Sequence, residues 1–188
     1  METTRLAELL MHGNQLKRTA RTGWGQRGIL LPESVAAHSY GVVYTALILA
    51  ELIDHPLDMA VVLTMATLHD LPEGLTSDIP APAWRLLPEG SKVIAERTAM
   101  EQILGDALYG RRLLGVWEAL VLNESAEARL VHDADKLDQF LQAVVYERQT
   151  GNRQLDEFWS KPHRFHFAQS QDLYDWLRRQ RDQSADQD

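Results

Sequence analysis

The chain has no cysteine. Disulfides, thiolate metal sites and a cysteine nucleophile are therefore excluded, and a reducing, cytoplasmic setting is the expectation. Long apolar runs are missing too. The stretch from Val42 to Ile53 is too short to span a bilayer and carries Glu51, so no membrane contact is expected. The first residues, METTRLAELLMHGNQLKR, are amphipathic and broken by charge, unlike a signal peptide. Positive charge is scarce: 19 Lys and Arg stand against 27 Asp and Glu, a net charge of −8. Binding a nucleic-acid polymer requires many phosphates to be neutralised, so none is expected as a partner, although a few local cations suffice for one small anion. No stretch of useful length alternates apolar and polar residues, so no strand is expected either.

What is present is helical period. Leu6, Leu9, Leu10 and Leu16 mark a first helix. Ser34 is placed to cap a second, running to about Asp54, where His55-Pro56 stops it. Asp58 sits at the start of a third, which ends near Asp70. The proline-rich stretch PEGLTSDIPAPAW, 72–84, reads as an ordered loop. Further helices are expected over roughly 90–108, 111–122 and, capped by Ser125, from Ala126 to Thr150, where Gly151-Asn152 ends the run. A last helix covers QSQDLYDWLRRQR. The expectation is one all-α domain over residues 1–180, with 181–188 a disordered polar tail.

Polar residues interrupt the apolar faces at three places. His69 and Asp70 close the third helix directly after LDMAVVLTMATL, where charge costs free energy unless something meets it. His38 lies in the first turns of the second helix, in ESVAAHSYGVV. Asp133, Asp135 and Asp138 lie in LVHDADKLDQFL. Imidazole nitrogens with carboxylate oxygens suit a divalent transition ion. The competing reading makes each histidine an ordinary helix-end residue bonded to a backbone carbonyl, and spacing alone does not choose.

The ordered set does more. ESVAAHSY, then TLHDLPE about thirty residues on, then VHDADKLD about sixty beyond, together with RTGWGQRG, LTSDIP and LDEFW, resembles the HD-domain phosphohydrolases and, within them, the 5′-deoxynucleotidase branch. The resemblance covers roughly residues 15–160. It implies an HD-type helical bundle with His38, His69, Asp70 and Asp135 as metal ligands. Helical geometry keeps Asp133 open as the last ligand. At about 100° per residue, Asp133 and Asp138 flank the stripe of Leu130, Ala134, Leu137, Leu141 and Val144 more closely than Asp135 does. One departure stands out: Ala37 occupies the place before the first histidine where the family has Glu, so a carboxylate that would orient the imidazole is missing there.

The resemblance further implies that Glu73 is the general base or acid, against the reading of a solvated loop carboxylate. Asp78 matches the residue that contacts the sugar, against an Asx turn before Pro80. Arg21 is favoured over Lys17 and Arg18 as the cation for phosphate, and Trp24 is a wall against the sugar. A homodimer is expected, with Trp159, Phe165 and Phe167 as a contact surface. Two-metal relatives use further histidines, and none occurs from Leu71 to Val131, so one divalent ion is expected, whether Mn, Co, Ni, Fe or Zn. The leading functional reading is a metal-dependent phosphomonoester hydrolase acting on deoxynucleoside 5′-monophosphates. A hydrolase of cyclic or stringent-response nucleotides on the same scaffold comes second, and a non-enzymatic helical binding domain with a vestigial site comes third.

Overall fold

The structure is a computed structural model and describes residues 3–105 and 108–185. Among these the chain is helical, with no extended pairing beyond a single bridge between Ala20 and Ser34. In chain order the helices are α1 Thr3–Gln15, α2 Thr22–Gly25, α3 Val35–Ala50, α4 Met59–Leu68, α5 Glu73–Thr76, α6 Ala81–Trp84, α7 Ser91–Leu104, α8 Leu108–Leu122, α9 Ala126–Thr150, α10 Asp156–Trp159 and α11 Ala168–Ala185. No described helix is long and apolar enough to cross a membrane.

Local bonding sets the ends. Ser34 Oγ accepts from Ala37 N, Asp58 Oδ1 from Ala60 N and Val61 N, and Ser125 Oγ from Ala128 N, each satisfying amides that a helix start leaves open. Gly151, at φ 64°, ends α9 in the left-handed region. The central pair is α3 against α9, with α4 beside both. Val42, Ala46 and Leu49 of α3, Val62 and Met65 of α4, and Leu130, Ala134 and Leu137 of α9 are buried together. A second cluster, including Leu16, Val35, Leu68, Met100 and Trp117, closes the other end.

Several expectations shift. The stretch 72–84 is two single helical turns, α5 and α6, not a plain loop. α7 stops at Leu104, short of 108, because Gly105 takes φ 66° there. α8 starts at Leu108 and runs through Gly110, which reads as a break in sequence. Its lack of a side chain instead lets α8 approach the end of α7: a Cβ at Gly110 would overlap the Leu104 and Gly105 carbonyl oxygens. Leu6 and Leu10 of α1 face solvent, so only Leu9 and the following Leu16 reach the core. α11 continues to Ala185, beyond the helical end and into the segment expected to be a tail; Arg181 anchors it, its guanidinium holding Glu147 of α9 at 3.0 Å and also Asp156. Residues 186–188 of that expected tail lie outside the described residues.

The expected contact surface is also corrected. Trp159 and Phe165 are buried, and Phe167 packs against the same core, around Phe140 and Tyr174. The exposed apolar side chains lie elsewhere, among them Tyr40, Tyr44, Leu47 and Ile48 on α3, and Leu30 and Leu31 before it.

Asp133 belongs to this framework. It is 1% exposed, and its carboxylate accepts from His166 N and Phe167 N at 3.0 Å and from His166 Nδ1 at 2.7 Å, fixing the entry to α11. Asp133→Ala strips partners from those groups and is expected to cost about 2–4 kcal/mol of stability in urea unfolding. Metal content at saturation should not change; a variant that keeps its stability and loses its metal would make Asp133 a ligand.

Candidate active site

Three core helices bring the polar residues together. His38, in the second turn of α3, is fully buried against α9. His69 and Asp70 follow the last turn of α4, and Asp135 sits in the third turn of α9. His38 Nε2 lies 3.0 Å from Asp135 Oδ1, 3.3 Å from His69 Nε2 and 3.6 Å from Asp70 Oδ2. His69 Nε2 lies 3.3 Å from the same Asp70 oxygen.

The far side of each imidazole explains this convergence. His38 Nδ1 is 2.7 Å from Asp138 Oδ2, and His69 Nδ1 is 2.8 Å from Ala66 O. A carboxylate or carbonyl oxygen only accepts, so both rings donate from Nδ1 and turn Nε2 inward. The two ring nitrogens and the Asp135 carboxylate lie close enough together to hold a metal ion, and Asp70 Oδ2 stands beside both nitrogens without closing on Asp135 to the same degree. Such a set suits a cation. Ligand bonds of about 2.0–2.2 Å place neighbouring donor atoms about 3.0–3.4 Å apart, close to the separations found, so the residues fit a divalent ion. Burial opposes charge on His38, yet its hydrogen bonds with Asp135 and Asp138 push its pKa up to about 10. Burial likewise opposes charge on Asp70 and Asp135, but the neighbouring histidines, with Arg21, hold both carboxyls far below the usual range.

Asp138 is the residue that sequence reasoning left without a role. It supplies from α9 the carboxylate that Ala37 does not supply from α3. Gly41, one turn after His38, makes room for it, since a Cβ there would overlap the Asp138 carboxylate. The signal was present: Asp138 follows Asp135 by three residues, on an adjacent face of α9. Glu33, His38 and Asp138 also lie close enough to suggest a cation site. There, however, Asp138 already accepts from His38, and Glu33 Oε1 accepts from Trp24 Nε1 at 3.0 Å.

Asp70 and Asp135 border a cleft of about 500 Å³. Arg21, Glu73 and Asp78 line it too. Arg21 Nη1 holds Asp70 Oδ2 at 3.2 Å, and the guanidinium keeps further N–H donors. Glu73 is 6% exposed and its Oε2 is buried without a hydrogen-bond partner. Burial, then the charges of Asp70 and Asp78, push its pKa up to about 9. Asp78 makes no Asx turn. Its Oδ2 accepts from Thr22 N at 2.7 Å, capping α2 from across the cleft. Lys17 and Arg18 are exposed away from the cleft, Arg18 being bonded to Asn14 and Gln15 of its own helix end. Lys92 and Lys136, absent from the sequence reading, line the cleft instead.

Trp24 lines the cleft from a buried position. It is 2% exposed and packs edge-on to Tyr146 at 5.3 Å and against Phe158 at 5.0 Å. Phe158, with the Arg27 guanidinium 4.5 Å from its centroid, presents the aromatic surface to the cleft beside it.

Comparison with known proteins places the chain as a whole. A family model for the HD domain matches residues 13–172. The 5′-deoxynucleotidase HDDC2 of Danio rerio is 35% identical over 156 residues, 81% of this chain and 76% of its own length. That of Homo sapiens is 36% identical over 145 residues, 76% and 68% respectively. The crystal structure of the PH0347 protein from Pyrococcus horikoshii OT3 superposes with a TM-score of 0.77 at 34% identity, covering 92% of this chain and 96% of that one.

The orientation of His38 can be tested without touching a ligand. Gly41→Ala pushes Asp138 off the imidazole and is expected to weaken divalent-ion binding 10–100-fold, as measured by calorimetric titration, with Asp138→Asn weakening it in the same direction. Wild-type affinity in both variants would remove Asp138 from the site.

Proposed function

The chain belongs to the HD-domain family, and from that premise we propose that it is a metal-dependent 5′-deoxynucleotidase, releasing phosphate from deoxynucleoside 5′-monophosphates. The observation that carries this is the meeting of His38, His69 and Asp135, with Asp70 beside both histidines, next to a cleft that also holds an arginine and a buried carboxyl without a hydrogen-bond partner. These four residues would hold one divalent ion, and an ion there polarises a phosphoryl oxygen and offsets negative charge in the transition state. A vestigial binding domain has no use for such an arrangement.

The chain's own groups do the rest. Arg21, already fixed by Asp70, points its remaining donors at the phosphoryl group. A water oxygen forms a bond to phosphorus as the bond to O5′ breaks; Glu73 handles the proton that passes between them. Asp78, held by Thr22, reaches the 3′-hydroxyl end of the sugar. The apolar surface of Phe158, backed by Trp24, lies against C2′, where a hydroxyl would lose water and find no partner. Mn, Co, Ni, Fe and Zn all suit two imidazoles and two carboxylates.

Two variants separate the roles. His69→Ala should lose most bound metal by elemental analysis and essentially all hydrolysis. Glu73→Gln should keep the metal and lose on the order of 10²–10⁴ in rate. Wild-type turnover in Glu73→Gln would return Glu73 to a structural role, and loss of the metal would make it a ligand.

Substrate choice is tested by kcat/KM for dAMP, AMP and 3′-dAMP with Mn²⁺ or Co²⁺ supplied. dAMP should be preferred to both others. Equal use of dAMP and AMP would defeat the sugar argument alone; no activity on any monophosphate would defeat the nucleotidase reading.

A further inference from the structure

α9 gives the cleft more than Asp135. Lys136 and Gln139 line the same space. Gln139 stands one helical turn beyond Asp135, on the same side of α9 and about 6 Å further along it. Lys136 Nζ donates to Gln139 Oε1 at 2.6 Å. An ammonium group only donates, so the bonded end of the amide is its oxygen and the orientation of the side chain is settled. The other end, Nε2, carries two N–H donors that have no partner among the described residues. Gln139 is half-buried, and Nε2 keeps contact with solvent.

Other donors of the cleft are differently placed. Arg27 gives Nη1 to Gly23 O and Nη2 to Glu157. Arg21 stands at the ligand cluster on Asp70, where a phosphate draws charged donors first. The amide of Gln139 is uncharged, held in one orientation and a turn away from that cluster, which suits a neutral acceptor further along the substrate. A nucleotide has one at that remove. A sugar ring separates its phosphate from its base, as one turn of α9 separates Asp135 from Gln139. The base edge next to the glycosidic bond then presents N3 of a purine or O2 of a pyrimidine, acceptors that every base carries in one form or the other.

We infer that Gln139 donates to this edge of the base, at purine N3 or pyrimidine O2, and that Lys136 is the positioning residue that keeps the amide turned nitrogen-outward. The inference rests on the nucleotidase reading and says how that site meets the base. The contact holds the nucleoside without choosing among bases, because each offers an acceptor at the same place. It also ties the substrate at its far end, so the sugar is fixed between the phosphate and the base. Without Lys136 the amide would be free to turn and present its oxygen, which an acceptor edge repels.

The probe is 3-deaza-2′-deoxyadenosine 5′-monophosphate, in which C–H replaces N3 while the sugar and phosphate are unchanged. With Mn²⁺ supplied, the wild type should use it with kcat/KM about fivefold below that for dAMP, the loss of one neutral hydrogen bond, and the difference should lie mainly in KM. Gln139→Leu should bring dAMP down to the level of the analogue and leave the analogue unchanged. Lys136→Met removes a charge from the cleft, but the two substrates carry the same phosphate, so their ratio reports the amide alone and should narrow. Equal use of both compounds by the wild type, or an equal loss of both in Gln139→Leu, overturns the inference and leaves the nucleotidase reading standing. An unchanged ratio in Lys136→Met overturns the positioning role of the lysine. If neither compound is hydrolysed, the nucleotidase reading falls and the inference with it. The wild-type comparison does not depend on how well either variant folds.

Discussion

The direction in which His38 points is the constraint on which this centre depends. The residue is fully buried in the seam between α3 and α9, and those two helices form the central packing pair of the domain. Asp138 holds Nδ1 from α9, and Gly41 gives that carboxylate the space to reach it. Nε2 is left facing Asp135 and His69. Moving α3 against α9 by a fraction of an ångström would therefore disturb the apolar core and the ligand geometry together. His69 is steered in a simpler way, by the open carbonyl of Ala66 at the end of its own helix. One imidazole is set by tertiary packing and the other by secondary structure.

This difference accounts for what could be read from sequence. Starts of helices were legible wherever a local side chain decides them, as Ser34, Asp58 and Ser125 do. Positions where glycine serves a distant contact were not. Gly110 marks a close approach of α8 to α7, and Gly41 is the socket for Asp138. Nothing within a few residues of either glycine reports the partner. The end of the last helix was misjudged for a related reason. The polar end of α11 is held by Arg181 through ion pairs with Glu147 and Asp156, residues far away in sequence.

The choice among the aspartates shows the same limit from the other side. Asp133 lies nearest the apolar stripe of α9, and it is correspondingly buried, spent on amides that lead into α11. Asp135 points away from the stripe and remains 41% exposed. A ligand that must meet an incoming substrate has to border a cleft, and Asp135 does so, which favours it for the proposed site. Apolar period finds the core; it does not find the place where the core stops. The motif picked out Asp135 where geometry alone leaned toward Asp133. Trp24 is the reverse case: a large apolar residue buried in the core that still lines the cleft, beside Phe158.

Charge ties these observations together. Asp70, Glu73 and Asp78 line one cleft with Asp135, and Asp138 lies just behind. The nearby cations are already engaged: Arg21 with Asp70, Lys92 with Glu96, and Lys136 with the Gln139 amide oxygen. Arg27 and Arg85 line the cleft as well, so the crowding of carboxylates is confined to the cluster around the two histidines, and the protein answers it in two ways. His38 is driven toward its charged form and Glu73 toward its neutral one. A divalent ion held there would replace the first proton and offset the Asp70 charge that helps to hold the second. Burial, the largest cause of the raised Glu73 pKa, would remain. The carboxylate that would meet the ion is thus also one that acts on the Glu73 proton, and the two proposed functions would need no separate machinery.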